Sequence, residues 1–163
     1  PILFPICGGL KEDKYVFEGK EYTLPKHGYA LKSEFEVESV SDDIATFVLK
    51  SNEESKKAFP FDYELRVSFV LKGNVLDTKY SVTNKSDKNM FFSIGAHEGY
   101  ACPEGVDEYS LVFEKKELLT HNELHGNLLS DDVKILGDGI DELRLNYDYF
   151  TIILLKEKAD NFT

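Results

Sequence analysis

His97 closes an apolar run, Met90-Phe91-Phe92-Ser93-Ile94, that passes through Gly95-Ala96 and is followed at once by Glu98, Gly99 and Tyr100. An imidazole with an ordinary pKa of about 6.5 can give or accept a proton near neutrality, which suits general acid–base work. Small neighbours let a ligand approach the backbone, and an aromatic ring can cover the apolar face of a sugar. Taken alone, His97 reads more readily as a core histidine bonded to a backbone carbonyl than as a functional one. His27, followed by Gly28, falls in a connection between elements, where loop residues on a rigid scaffold often carry function. The remaining histidines, His121 and His125, stand at i, i+4, a spacing that can share a metal only on a helix. They follow an alternating strand and end at Gly126, so the segment reads as a polar loop and no metal site is expected.

These residues need strands to position them. Residues 2–6 form a short apolar run broken by Pro5, which predicts an edge strand or a strand entering a bend. Tyr15 and Phe17, then Tyr22 and Leu24, alternate with polar residues about the reversal Glu18-Gly19, a β-hairpin. Phe35 and Val37 alternate with glutamates and predict a strand with one acidic, wetted face. Residues 44–50 are its hairpin partner, and 51–58 a polar loop or single helical turn. Phe61, Tyr63, Leu65, Val67, Phe69 and Leu71 hold a strict period of two, turn at Gly73-Asn74, and return through Leu76, Thr78, Tyr80 and Val82. The run at 90–94 predicts a strand ending at His97. Tyr109, Leu111 and Phe113 alternate again, as do Leu143, Leu145 and Tyr147, and 150–155 is a continuous apolar run. No window keeps helical periodicity beyond two turns. Many short strands separated by turns predict an all-β antiparallel sandwich.

Three stretches together resemble the aldose 1-epimerase (galactose mutarotase-like) family. Ser93-Ile94-Gly95-Ala96-His97 is similar to its FSIGxH segment. Leu3-Phe4-Pro5 and Tyr22-Thr23-Leu24-Pro25-Lys26-His27-Gly28-Tyr29-Ala30 are similar to LFP…YxLPxHGFA, and Phe59-Pro60-Phe61-Asp62-Tyr63-Glu64-Leu65 to YPFxYEL. The resemblance spans residues 3–103; beyond that only a strand pattern continues. It implies a galactose mutarotase-like supersandwich and an enzyme that interconverts the α and β anomers of a hexose by acid/base ring opening, without cofactor or metal. It makes His97 the general acid and His27 and Tyr100 sugar contacts. The family's base is a glutamate from a late strand. Against that pattern residues 1–163 read as one incomplete domain lacking both ends and the base, so this chain is expected to be inactive while the full-length protein is an epimerase.

The chain departs from the family at three places. Glu98 replaces a proline after the histidine and is given no role; Leu31-Lys32 stand where an arginine often follows; and Gly8-Gly9 stand where a Gly-Arg pair is common. Arginine's fork suits sugar hydroxyls better than a lysine point charge. The alternative expectation is therefore a non-catalytic carbohydrate-binding β-sandwich protein. It differs from the enzyme in needing no carboxylate across the groove from His97.

Composition narrows the partners. With 30 acidic against 19 basic residues the net charge is −11, which disfavours nucleic acid and anionic membrane surfaces. Cys7 and Cys102, in no paired spacing, point to a reducing cytoplasm with both thiols free. No apolar run is long enough for a membrane span. Terminal strands without partners would leave open sheet edges, so a homodimer through them is expected.

Overall fold

The structure is a computed structural model that describes residues 2–145. The expected alternation at Tyr147 and the apolar run at 150–155 lie outside those residues. The described chain is all-β with antiparallel sheets, as the alternation predicts, and it falls into two compact units, Pro1–His97 and Glu98–Thr163.

The first unit holds eight strands: β1 (Ile2–Leu3), β2 (Lys14–Phe17), β3 (Lys20–Thr23), β4 (Glu36–Val40), β5 (Ile44–Lys50), β6 (Tyr63–Lys72), β7 (Val75–Asn84) and β8 (Gly95–Ala96). β2 and β3 form the expected hairpin, with Tyr15 opposite Tyr22 and Phe17 opposite Lys20. β4 to β7 make one four-stranded antiparallel sheet in sequence order. Its last turn is Gly73-Asn74, since Lys72 pairs with Val75 across it. The β2–β3 and β6–β7 hairpins follow from period-two alternation meeting a two-residue turn.

The helical turn α1 (Glu53–Ala58) sits between β5 and β6. Asn52 caps it, its side chain accepting from the Glu54 and Ser55 amides while Ser55 Oγ accepts from the Asn52 amide. This reciprocal arrangement satisfies donors that a helix start otherwise leaves open.

The core is one aromatic-rich cluster. Leu49, Tyr63 and Leu65 come from the sheet, and Phe4, Leu24, Ala30, Phe59 and Phe61 from the segments facing it. Phe4 is fully buried, with its ring centroid 5.0 Å from that of Tyr63, 5.6 Å from Phe92 and 5.9 Å from Phe59. These are separations at which aromatic pairs attract beyond simple burial.

Two expectations change here. Residues 90–94 do not form a strand; only Gly95-Ala96 pair, with Ile2 and Leu3. Met90, Phe92 and Ile94 still pack on the core with the expected alternation, and Ser93 N–H still bonds the Pro5 carbonyl at 2.9 Å. A ladder cannot continue because Pro5 has no N–H to give, and the Phe4 carbonyl is turned away to the Tyr29 and Ala30 amides at 3.1 and 3.2 Å. β4, in turn, is exposed at all five positions rather than on one acidic face. A register irregularity between Val37 and Ser39 breaks its alternation.

The second unit, over its described residues, is a short 3₁₀ turn at Val106–Glu108 and a long hairpin of β9 (Ser110–His125) and β10 (Leu128–Arg144). The base of the hairpin is closed by Leu145 N–H to the Tyr109 carbonyl at 2.9 Å and Arg144 Nε to the Asp107 carbonyl at 2.8 Å. The segment from His121 to His125, expected as a loop, is strand: His121 pairs with Lys134 and His125 with Leu128. At about 3.4 Å per residue the two histidines stand roughly 13 Å apart and cannot share an ion.

Candidate active site

Two elements of the first unit bring two imidazoles together. β8 ends at Ala96 and hands His97 to the surface, as expected of a strand terminus. The β8 backbone runs close to the first segment, where a Cβ on Gly95 would stand 2.9 Å from Cys7 Sγ. Burial pushes the Cys7 thiol above its ordinary pKa, which keeps it uncharged and suits it to packing.

His27 lies in the turn after β3, with φ of 68°. Left-handed backbone is uncommon for a side-chain-bearing residue and persists only where its surroundings fix it. The fixing contacts are on both sides. Its N–H donates to the Gly8 carbonyl at 2.7 Å, and its ring Nδ1 accepts from the Gly8 N–H at 3.1 Å. Gly28 then forms a bridge with Phe4, so tight that a Cβ there would sit 2.2 Å from the Phe4 oxygen. Only glycine fits that approach.

The result is a defined protonation pattern. An Nδ1 that accepts carries no hydrogen, so neutral His27 presents Nε2–H. Burial, then the Lys26 charge, then His97 hold the His27 pKa below its usual value, which keeps this tautomer in place. The His27 and His97 rings meet at a centroid separation of 6.1 Å with planes 78° apart. His27 is half-buried and His97 exposed, so the pair offers a fixed neutral donor beside an accessible acid–base group.

Tyr100, the third expected site residue, is 75% exposed and belongs to the second unit. The first unit also has an apolar recess of about 400 Å³, lined by Ile6, Tyr15, Phe17, Phe59, Phe61 and Phe91 among others. It contains neither histidine and offers little to orient a polar ligand. Among the described residues no group of three or more histidine, cysteine or carboxylate side chains is placed to hold a metal. Gly8 and Ser93 stand in the motifs read from the sequence, but their bonds were missed: Gly8 holds His27 directly, and Ser93 holds the Cys7 N–H beside it.

The all-β antiparallel fold is that of a galactose mutarotase-like protein. The chain belongs to the aldose 1-epimerase family, which it matches over residues 1–146. It is 38% identical to the plasmid-encoded Protein LacX of Lactococcus lactis subsp. lactis over 127 residues, 72% of this chain and 42% of that protein. Among solved structures it resembles a galactose mutarotase related enzyme from Lactobacillus acidophilus, with TM-score 0.82 and 36% identity over 93% of this chain and 52% of that one. It also resembles a galactose mutarotase-like protein from Lactobacillus casei, with TM-score 0.76 and 32% identity over 91% and 53% of the respective chains. The chain thus spans about half the length of the relatives it matches. No helix among the described residues is long and apolar enough to cross a membrane.

Proposed function

We propose that the full-length protein interconverts the α and β anomers of a hexose by acid/base ring opening. His97 is the general acid: it gives its proton to the ring oxygen as the bond from C1 to that oxygen breaks. A carboxylate base, supplied by the part of the relatives' length that this chain does not span, takes the C1 hydroxyl proton. Reclosure on either face of the aldehyde returns both protons to where they began, so the scheme needs no cofactor. His27 donates through Nε2–H to the sugar. The observation that carries this reading is the 6.1 Å approach of His27 to His97 from two separate motifs.

Polarimetry or NMR of α-to-β exchange of glucose and galactose tests it, on this chain and on a protein of the relatives' length. Losing a positioned acid typically costs 10²–10⁴-fold. His97→Gln in the longer protein is therefore expected to slow exchange by about that much while sugar still binds. Exchange by the variant at the wild-type rate would sink the assignment.

A second reading is favoured by Leu31-Lys32 and Gly8-Gly9, which stand where the family often has arginine. It makes the protein a carbohydrate-binding β-sandwich without turnover. Saturable sugar binding with no acceleration of exchange by the longer protein selects it. We further propose that both units belong to one domain, since the family match runs through both. A cytoplasmic location is supported by two free cysteines. A homodimer is proposed through β4 and β7, the edges of the four-stranded sheet; light scattering showing a monomer overturns it.

A further inference from the structure

Residues Cys7 and Gly8 lie between the two histidine-bearing segments and are held by both. On one side the Ser93 hydroxyl accepts the Cys7 N–H at 2.8 Å, and Ser93 N–H bonds the Pro5 carbonyl at 2.9 Å. On the other, Gly8 gives its N–H to His27 Nδ1 and takes the His27 N–H on its carbonyl. Ser93 stands four residues before His97 in the same segment. The contacts therefore run Ser93 to Cys7-Gly8 to His27, and they join His27 to the element that carries His97.

We propose that Ser93 is a positioning residue: its hydroxyl holds the Cys7 N–H, and through Cys7 sets Gly8 so that Gly8 N–H locks His27 as an Nε2–H donor facing His97. Without that bond Cys7 is released, the peptide that follows it can rotate, Nδ1 loses its donor and the imidazole becomes free to turn. The hydroxyl is the only side-chain group of Ser93 that the relay uses, so threonine should serve as well as serine. Ser93 is exposed, so removing its oxygen opens no cavity. The functional consequence rests on reading His27 as a sugar contact.

NMR of the histidine ring nitrogens and of amide exchange tests the relay without any sugar. In the wild-type chain His27 Nδ1 should be unprotonated and show a coupling through the hydrogen bond to the Gly8 amide. Ser93→Ala should abolish that coupling and speed Gly8 amide exchange by about tenfold, the loss expected for one ordinary hydrogen bond. Ser93→Thr should restore both. Ser93→Cys, which keeps the bulk but offers a weak acceptor, should fall between, and it serves if the alanine variant does not fold. A protonated Nδ1 in the wild type, or unchanged coupling and exchange in Ser93→Ala or Ser93→Cys, overturns the proposal. In the protein of the relatives' length, Ser93→Ala should raise the KM for sugar more than it lowers kcat. If the ring signals respond to Ser93 while KM does not, the relay stands and it is the reading of His27 as a sugar contact that fails.

Discussion

The His27 ring meets the His97 ring edge-on, 6.1 Å between centroids, although one follows β3 and the other β8. Two imidazoles so close cannot both be charged without mutual repulsion, and Lys26 adds to it. His27 is the one held neutral.

The sign of the pH effect follows. Because its folded-state pKa lies below the ordinary value, the folded chain binds fewer protons at His27 than the unfolded chain does. Its contribution to stability is intact above about pH 6.5 and is lost as pH falls through the folded pKa. Tm measured between about pH 7.5 and 5.5, above the range where carboxylates titrate, should decline on acidification. His27→Asn keeps an acceptor for Gly8 and tolerates the left-handed backbone, and it should flatten that decline. Equal slopes for the two proteins would contradict the assignment.

Gly28→Ala should be costly. The new methyl would meet the Phe4 oxygen at 2.2 Å on a backbone with φ of 70°. Strain and displacement together should cost about 3 kcal/mol, read as a fall in the urea midpoint with an unchanged slope. A loss under about 1 kcal/mol would mean the loop gives way easily.

Phe4→Ala removes a fully buried ring from its contacts with Phe59, Tyr63 and Phe92. A loss of about 3–5 kcal/mol is expected, a large share of the stability of any small domain. Denaturant unfolding followed by tyrosine fluorescence measures it, and the loss should appear as faster amide exchange at His27 too, since Phe4 also bridges Gly28.

Asn52→Ala breaks the capping box of α1 and should cost about 1 kcal/mol. The effect should reach the β2–β3 hairpin, because Tyr15 donates its hydroxyl to the Ala58 carbonyl at 2.8 Å. Weakened protection of the hairpin amides in Asn52→Ala, with β6 unaffected, is the expected pattern.

How far the sequence carried these conclusions depends on the element. β5, β6 and β7 were legible to within a residue or two, because strict alternation met the Gly73-Asn74 turn. Gly126-Asn127 makes an equivalent turn between His125 and Leu128, yet its hairpin was not read. Four register irregularities between β9 and β10 shift the phase of the side chains each time, so the alternation that starts at Tyr109, Leu111 and Phe113 does not carry on to the turn. Residues 90–94 show the converse, with correct alternation and no ladder, because the partner segment spends its backbone groups elsewhere. Both histidines were found through motifs, whereas the bonds that orient His27 come from backbone atoms, on which residue types are silent.

The Phe4 carbonyl, which takes both the Tyr29 and Ala30 amides, divides the His27 loop into parts with different histories open to them. Up to Ala30 the loop is bound to the aromatic core, and a substitution there is judged by folding before it is judged by function. Leu31 and Lys32 come just after the anchor and are exposed. Side chains at 31 and 32 can therefore be exchanged with the Phe4 anchor and the aromatic core untouched.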